Sequence, residues 1–361
     1  MEKILILAND SGGLYHFRGE LIQRLSKKYE VICMVPNDEF GHELESVGGR
    51  CLVVPFNRTG KNPVKDFDLI MSYQRHIKSI KPKCVFTYTV KPNIYGGIAC
   101  RLSHTPYVAN ITGLGNAVEK KSALQLVVLK MLKIGLKDAK KVFFQNKANE
   151  EFLLSNGIIT GAHEIIPGSG VNLEKFTVME YPHNEIIQFS FFGRMIKEKG
   201  IEQYLDAAEV IHNKYPNTLF HICGNPTDDY ISRVNELEQK GIVKYHGMVR
   251  DVREVHLYSD CTVHPTFYPE GMSNVLLESC ACGRPIITTD RPGCREIVDD
   301  GVNGFIVNER DTQDLIAKIE KMLRLSRKER AQLGLAGRTK VEREFDRRII
   351  IDKYVEIISE I

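Results

Sequence analysis

Glu270 and Glu278 bracket the run Glu270-Gly-Met-Ser-Asn-Val-Leu-Leu-Glu278, with seven residues between the two acids. Ser273 is a good helix N-cap, and a helix starting there presents the N–H groups of Ser273, Asn274 and Val275 at its first turn. If Glu270 precedes that helix, the two acids do not form a simple pair along one face. Each can then take a different hydroxyl-bearing partner, because ionised carboxylates are strong acceptors and suit vicinal diols. The plain alternative is an acid balancing the helix dipole beside an unrelated surface glutamate. Glu278 counts against that alternative: it lies inside Val275-Leu-Leu-Glu-Ser-Cys-Ala281, an apolar run where a lone charge is costly.

A second constellation is Phe191-Phe-Gly-Arg-Met-Ile-Lys-Glu-Lys-Gly200. A strand-like run ends at Gly193, and Arg194 and Lys199 flank the turn into a helix. Two cations beside a glycine-lined turn suit a diphosphate, each charge-assisted hydrogen bond contributing about 1.5–3 kcal/mol in a dry site. A departing diphosphate gains negative charge, so these contacts strengthen in a transition state. The alternative is that both cations solvate a helix start. A further loop, Asn9-Asp-Ser-Gly-Gly13, follows the first strand, with a helix expected near His16. Gly12 and Gly13 would let the backbone approach a phosphate, although a plain strand-to-helix turn also accounts for them. Gly113-Leu-Gly115 is a weak dinucleotide signature. Val118 stands at its third position, and no clear acid follows about 20 residues on.

The elements that must position these residues alternate regularly. Apolar, β-branched runs fall at Ile4–Ala8, Val31–Val35, Leu52–Pro55, Cys84–Tyr88, Tyr107–Ile111 and Val142–Gln145. A second series falls at Ile187–Phe192, Thr218–Cys223, Val243–His246, Cys261–His264, Pro285–Thr288 and Phe305–Val307. Helical patterns separate nearly all of them. Such alternation predicts α/β architecture with parallel sheets buried on both faces, repeated as two doubly wound Rossmann-like domains. The expected boundaries are 1–170, 186–345 and a final helix at 346–361. Ligands of open α/β sheets bind at the carboxyl ends of strands, so the expected site is the cleft that the two domains face.

The composition of the 361 residues is ordinary for a globular chain, with 43% hydrophobic and 26% charged residues and a net charge of +3. Global charge gives no reason to expect nucleic acid. Nine irregularly spaced cysteines, mostly in apolar runs, predict buried free thiols in a reducing compartment. No zinc spacing is present. The first run, Lys3-Ile-Leu-Ile-Leu-Ala8, leaves no room for a leader, and no uncharged apolar stretch reaches about 18 residues, so a cytoplasmic location is expected.

Together these residues resemble the retaining glycosyltransferases of family 4. The resemblance rests on Glu270-x7-Glu278, Ala281-x-Gly283-Arg-Pro-Ile286 and Gly193-Arg194-x4-Lys199-Gly200. The Gly12-Gly13 loop, the Gly170–Asn172 link and Asp299-Asp-Gly-Val-Asn-Gly304 add to it, so it covers nearly the whole chain. It implies a GT-B fold, a nucleotide-sugar substrate, and no required metal or other cofactor. By the same resemblance Arg194 and Lys199 bind the donor diphosphate, and Glu278 binds the ribose hydroxyls. Glu270 contacts the transferred sugar, and the backbone from Met272 to Val275 supports sugar and phosphate. The first domain takes the acceptor, and the final helix packs back on it. Tyr88-Thr-Val-Lys-Pro-Asn-Ile-Tyr-Gly96 and Thr289-Asp-Arg-Pro-Gly-Cys-Arg-Glu296 are similar to a narrower group. Those enzymes extend polyprenyl-diphosphate-linked saccharides for bacterial O-antigen, capsule or protein glycans. This similarity points to a hexosamine or hexose donor, UDP-N-acetylgalactosamine first, and an alpha linkage.

One departure concerns the acceptor side. Relatives place a His after a first-domain strand, where this chain reads Asn110-Ile-Thr-Gly-Leu-Gly115, so Thr112 stands near that position. His16 is nearby in sequence only. Lys91 and Arg18 are candidate contacts to an acceptor phosphate, each with an ordinary surface alternative. From Lys120 to Lys141 seven lysines and one acid surround an apolar body, with Lys130, Lys133, Lys137 and Lys141 on one helical face. Such a helix suits an anionic membrane surface, or else a core helix with a solvated face. Two rival readings keep the fold and change the activity: a nucleotide-sugar hydrolysing epimerase, and a non-catalytic nucleotide-sugar-binding partner.

Overall fold

The computed structural model describes the chain except Arg58, Thr59, Lys61, Asn116, Ala117, Glu119, Lys120, Lys121 and Pro226, and the side chain of Asp228. The chain divides into two compact units, Met1–Ser169 with Arg348–Ile361, and Gly170–Arg347.

The first unit carries strands β1 (Lys3–Leu7), β2 (Glu30–Val35), β3 (Gly49–Val53), β4 (Cys84–Tyr88), β5 (Tyr107–Ile111), β6 (Lys141–Phe144) and β7 (His163–Ile165). They form one parallel sheet in the order β3-β2-β1-β4-β5-β6-β7. Near-continuous apolar strands need cover on both faces, and two buried clusters provide it. One face packs Leu5, Leu7, Val85 and Ala109 against Tyr73, Ile77 and Leu132. The other packs Ile4, Ile6 and Phe86 against Leu21, Ile22 and the final helix, Arg347–Ser359. Tyr354 of that helix is fully buried, its ring 5.2 Å from those of Phe86 and Phe143 and its hydroxyl donating to Asn110 Oδ1.

The second unit carries β8 (Ile187–Phe192), β9 (Thr218–Cys223), β10 (Val243–Tyr245), β11 (Cys261–His264), β12 (Ile286–Thr289) and β13 (Gly304–Val307). Their order is β10-β9-β8-β11-β12-β13, again all parallel. Strand order reverses between β8 and β11, and in such sheets that reversal opens a crevice at the carboxyl ends of the two strands.

Three local expectations change. The third strand is Gly49–Val53 rather than Leu52–Pro55. β7 is an additional three-residue edge strand whose exposed–intermediate–exposed pattern carries little apolar signal. The first helix runs Ser11–Ser26, so it begins five residues before His16, with Asp10 as its N-cap. A carboxylate that accepts a first-turn N–H is a stronger start signal than the glycines are a loop signal.

Candidate active site

The loops after β8 and β11 meet at the reversal point of the second sheet. Gly193 directly follows β8 with φ +146°, and a side chain there would point into open space. Its N–H donates to the Cys223 carbonyl at 2.9 Å. A short 3-10 turn, Lys197–Lys199, follows and ends at Gly200, which has φ +77°. A Cβ on Gly200 would lie 2.1 Å from the Pro265 carbonyl oxygen, so only glycine lets this turn press against the end of β11. The Phe267 N–H and the Thr266 hydroxyl both donate to the Glu198 carbonyl, joining the two loops.

That joint brings Lys199 and Glu270 together. Lys199 Nζ donates to Glu270 Oε1, and their side chains are 14% and 15% exposed. Tyr268 lies between the cations: Arg194 sits 5.4 Å and Lys199 5.2 Å from its ring centroid. Stacking over an aromatic face holds each cation in place. Arg194 is exposed and makes no ion pair among the described residues. The pair and the exposed guanidinium form a cationic rim with one carboxylate inside it.

Ser273 precedes the helix Asn274–Ala281, as expected, yet its hydroxyl makes no capping bond. Its N–H donates to the Gly293 carbonyl at 2.8 Å, so that group is not among those offered at the helix start. Met272 is 7% and Ser273 3% exposed, whereas Asn274 and Val275 are half-buried. Glu278 is also half-buried, one turn along. Burial is the main influence on its carboxyl, lifting the pKa to about 7. Arg347 and Lys175 pull against this and Asp251 adds to it.

The remaining candidates lie in the first unit. The Gly13 N–H is taken by Asp10 Oδ2 at 2.7 Å, and a Cβ on Gly12 would stand 3.0 Å from the Phe40 ring. The helix start thus already holds a carboxylate where a phosphate was expected. Arg18 is 5% exposed, stacked 5.0 Å from Tyr88 and 5.9 Å from Tyr354, with Nη1 donating to the Phe17 carbonyl. That burial rules out the ordinary surface alternative and leaves little of the side chain open to a ligand. His16 is exposed, its ring 5.2 Å from Phe40. Thr112 is half-buried and directly follows β5. Lys91 donates to Asp66 Oδ1 at 2.9 Å.

Several participants were not singled out from sequence. Tyr268 is ordinary in type and becomes informative only when two cations share its ring. Gly224, φ +150°, has no room for a Cβ because the Gly193 carbonyl oxygen would be 1.9 Å away, and its N–H donates to Gly247. Gly293, φ +88°, braces the acid loop, since a Cβ there would meet the Gly271 carbonyl oxygen at 2.8 Å. His264, fully buried at the end of β11, has neither ring nitrogen hydrogen-bonded. Burial and then Lys199 hold its pKa well below the usual range, so the ring stays neutral beside the cation. Among the described residues no three His, Cys, Asp or Glu side chains gather as a metal-ligand set.

Two doubly wound parallel sheets, one with cations and acids gathered at its strand-order reversal, define a glycosyltransferase of the GT-B fold. Residues 3–146 match the family model "Glycosyl transferase 4-like" and residues 181–340 match "Glycosyl transferases group 1". The chain is a glycosyltransferase made of a glycosyltransferase 4-like first part and a group 1 second part. It is 25% identical to the N,N'-diacetylbacillosaminyl-diphospho-undecaprenol alpha-1,3-N-acetylgalactosaminyltransferase of Campylobacter jejuni, over 99% of each chain. It is 23% identical to the UDP-Gal:alpha-D-GlcNAc-diphosphoundecaprenol alpha-1,3-galactosyltransferase of Escherichia coli, over 82% of each. Among solved structures, Anabaena HepE in complex with UDP and glucose aligns over 100% of both chains, with TM-score 0.83 and 18% identity.

Proposed function

We propose that this enzyme moves a hexosamine or hexose, first of all N-acetylgalactosamine from UDP-N-acetylgalactosamine, onto a polyprenyl-diphosphate-linked saccharide with retention and in alpha linkage. The observation that carries the donor side is the pairing of Lys199 with Glu270 under Tyr268, with Arg194 over the same ring. The acceptor class follows the names of the Campylobacter and Escherichia relatives. A non-catalytic partner would show disruption of Arg194, Lys199, Glu270 or Glu278, and all four are present. A hydrolysing epimerase would release free UDP and an altered sugar from donor alone, which product analysis distinguishes.

In this reading the second unit is the donor domain. Arg194 and Lys199 hold the diphosphate, Glu278 the ribose, and Glu270 the transferred sugar. The nearby backbone from Met272 to Val275, less the Ser273 N–H, lines the rest. No protein carboxylate acts as a nucleophile. The acceptor hydroxyl forms its bond to the anomeric carbon on the face from which UDP departs, and its proton passes to the leaving phosphate oxygen. The protein supplies position and charge, and requires no metal or other cofactor for it.

The first unit takes the acceptor, and its helix Ala123–Leu136 lies against an anionic membrane surface. Leu126, Val127 and Ile134 are 61%, 57% and 47% exposed, and the exposed Lys130 and Lys133 share that face. The helix is shorter than expected, since Lys137 follows its last residue in non-helical backbone and Lys141 opens β6. A solvated core helix has no reason to expose three large apolar groups among its lysines, whereas an interfacial helix buries them. Lys120 and Lys121 of the expected helix lie outside the described residues. Among the described residues no helix is long and apolar enough to cross a membrane. The enzyme is thus read as peripheral on the inner face of the cell membrane.

Steady-state kinetics of Lys199→Ala and Arg194→Ala test the donor side. Loss of a transition-state cation lowers kcat by about a hundredfold or more, with a smaller rise in donor KM. Turnover of Lys199→Ala equal to the parent at saturating donor would contradict the assignment.

A further inference from the structure

The first unit contains a cavity of about 890 Å³ that the assigned activity leaves unexplained. It lies at the carboxyl ends of strands on one side of the sheet: Pro36 follows β2, Val54 and Pro55 follow its neighbour β3, and Lys91 comes three residues after β4, on the far side of β1. Ligands of open parallel sheets occupy such positions. The opposite wall is one face of the helix Pro63–Ile80, whose Lys65, Asp68, Ser72 and Arg75 recur at spacings of three and four.

The lining chemistry selects the kind of ligand. Three cations, Lys65, Arg75 and Lys91, stand with two carboxylates, Asp66 and Asp68. A nucleotide or diphosphate entering here would face both acids, one of them already holding Lys91. Asn57, Asn62 and Ser72 add further donors and acceptors, and the half-buried Phe56 adds an apolar ring. Donors and acceptors side by side around an apolar plate suit a neutral molecule with hydroxyls on adjacent carbons. The volume falls in the range of about 300–1,000 Å³ seen for whole small-molecule ligands and is generous for a single sugar ring.

The Lys91–Asp66 pair is held rather than loose. Its side chains are 15% and 19% exposed, and Lys91 lies 5.8 Å from the Tyr95 ring centroid. The segment before it is strained: Thr89 has φ +72°, a rare conformation for a β-branched residue, and its buried hydroxyl has no hydrogen-bond partner. A π-helix, Pro92–Gly96, follows at once, a geometry that recurs at functional sites. Gly135 fixes that π-helix from outside, since a Cβ there would meet the Ile94 Cα at 2.5 Å. The same Gly135 belongs to the helix with the exposed apolar and basic face.

We propose that this cavity holds the saccharide of the acceptor, with Asp66 and Lys91 as the pair that selects its hydroxyl pattern. The proposal rests on the reading of the chain as a transferase to a saccharide acceptor, and it adds where and by which groups that saccharide is recognised. Asp66 accepts from sugar hydroxyls while Lys91 donates to them, so the pair opens only for a ring whose adjacent oxygens match both.

Two measurements test it, one of which needs no donor. Saturation-transfer NMR with a set of free N-acetylhexosamine disaccharides should give signal with the parent and lose it in Ser72→Phe, which fills the cavity and leaves the ion pair in place. Equal signal from both proteins would overturn the proposal. In transfer from UDP-N-acetylgalactosamine to a short-chain prenyl-diphosphate-linked N-acetylhexosamine, Asp66→Asn, Lys91→Met and Ser72→Phe should each raise acceptor KM about tenfold or more. Calorimetric binding of UDP-N-acetylgalactosamine to the same variants reports the donor side separately. Acceptor KM within twofold of the parent in all three would overturn the cavity assignment. A parent that gives the disaccharide signal but binds no UDP-sugar would instead overturn the donor reading.

Discussion

Glu278 sits half-buried with Arg347 and Lys175 acting on it, and burial still lifts its pKa to about 7. Raised above the ordinary glutamate value, the group makes the folded state hold its proton more tightly than the unfolded chain does. Its contribution to stability is therefore fully present below the usual carboxylate pKa and is lost as pH rises toward 7. Donor binding has the opposite sign if ribose hydroxyls donate to the ionised form. UDP-N-acetylgalactosamine should bind about tenfold more tightly at pH 8 than at pH 6, the span expected for one proton released from a group titrating at 7. Calorimetry across that range checks it, and Glu278→Gln should bind weakly with no such slope. A flat profile in the parent would remove Glu278 from the ribose. The residue types of this site were legible in sequence because an acid inside Val275–Ala281 is expensive. Tyr268 was not, because an aromatic side chain beside a proline has no signature until two cations come to lie over its ring. Arg18 reads in sequence as a phosphate contact or a surface cation, and only the fold puts Tyr88 and Tyr354 around it.

At the scale of elements, the helix Ala123–Leu136 has two unlike sides. Its buried side, through Leu129, Leu132 and Gly135, packs on the first core, and its other side mixes Leu126, Val127 and Ile134 with lysines. Each lysine near an anionic leaflet contributes about 1 kcal/mol. The parent should float with phosphatidylglycerol-containing vesicles and much less with pure phosphatidylcholine. Lys130→Glu, Lys133→Glu and Lys137→Glu combined should abolish the difference. Equal flotation of the parent with both vesicle types would refute the membrane reading. The lysine periodicity was visible in sequence, but the exposed apolar residues between the lysines were not. Periodicity alone cannot tell a leucine facing the core from one facing outward when both lie in an apolar run. Strands were plainer, since β4, β5, β8, β9 and β11 fall where β-branched and aromatic runs place them. β7 escaped because three edge residues have almost no apolar face to show.

At the scale of the molecule, each unit is a complete parallel sheet with its own core, and the chemistry assigned to each stays within it. The second unit gathers Arg194, Lys199 and Glu270 at its strand-order reversal, with Glu278 one turn into the helix that follows, and the first holds the cavity beside Lys91. Sequence alternation showed two doubly wound domains because a buried parallel strand has no polar face to hide. It left the acceptor open because that site rests on a cavity formed by three strand ends and a helix face remote in sequence. The central claim is sugar transfer from a UDP-sugar to a prenyl-diphosphate-linked saccharide. The most direct test incubates the enzyme with a panel of UDP-sugars and prenyl-diphosphate-linked acceptors and reads the products by mass. One N-acetylhexosamine added to a lipid-linked acceptor, and released by an alpha-specific glycosidase, is the predicted result. UDP released with no acceptor gaining mass, whatever the sugar, would contradict it.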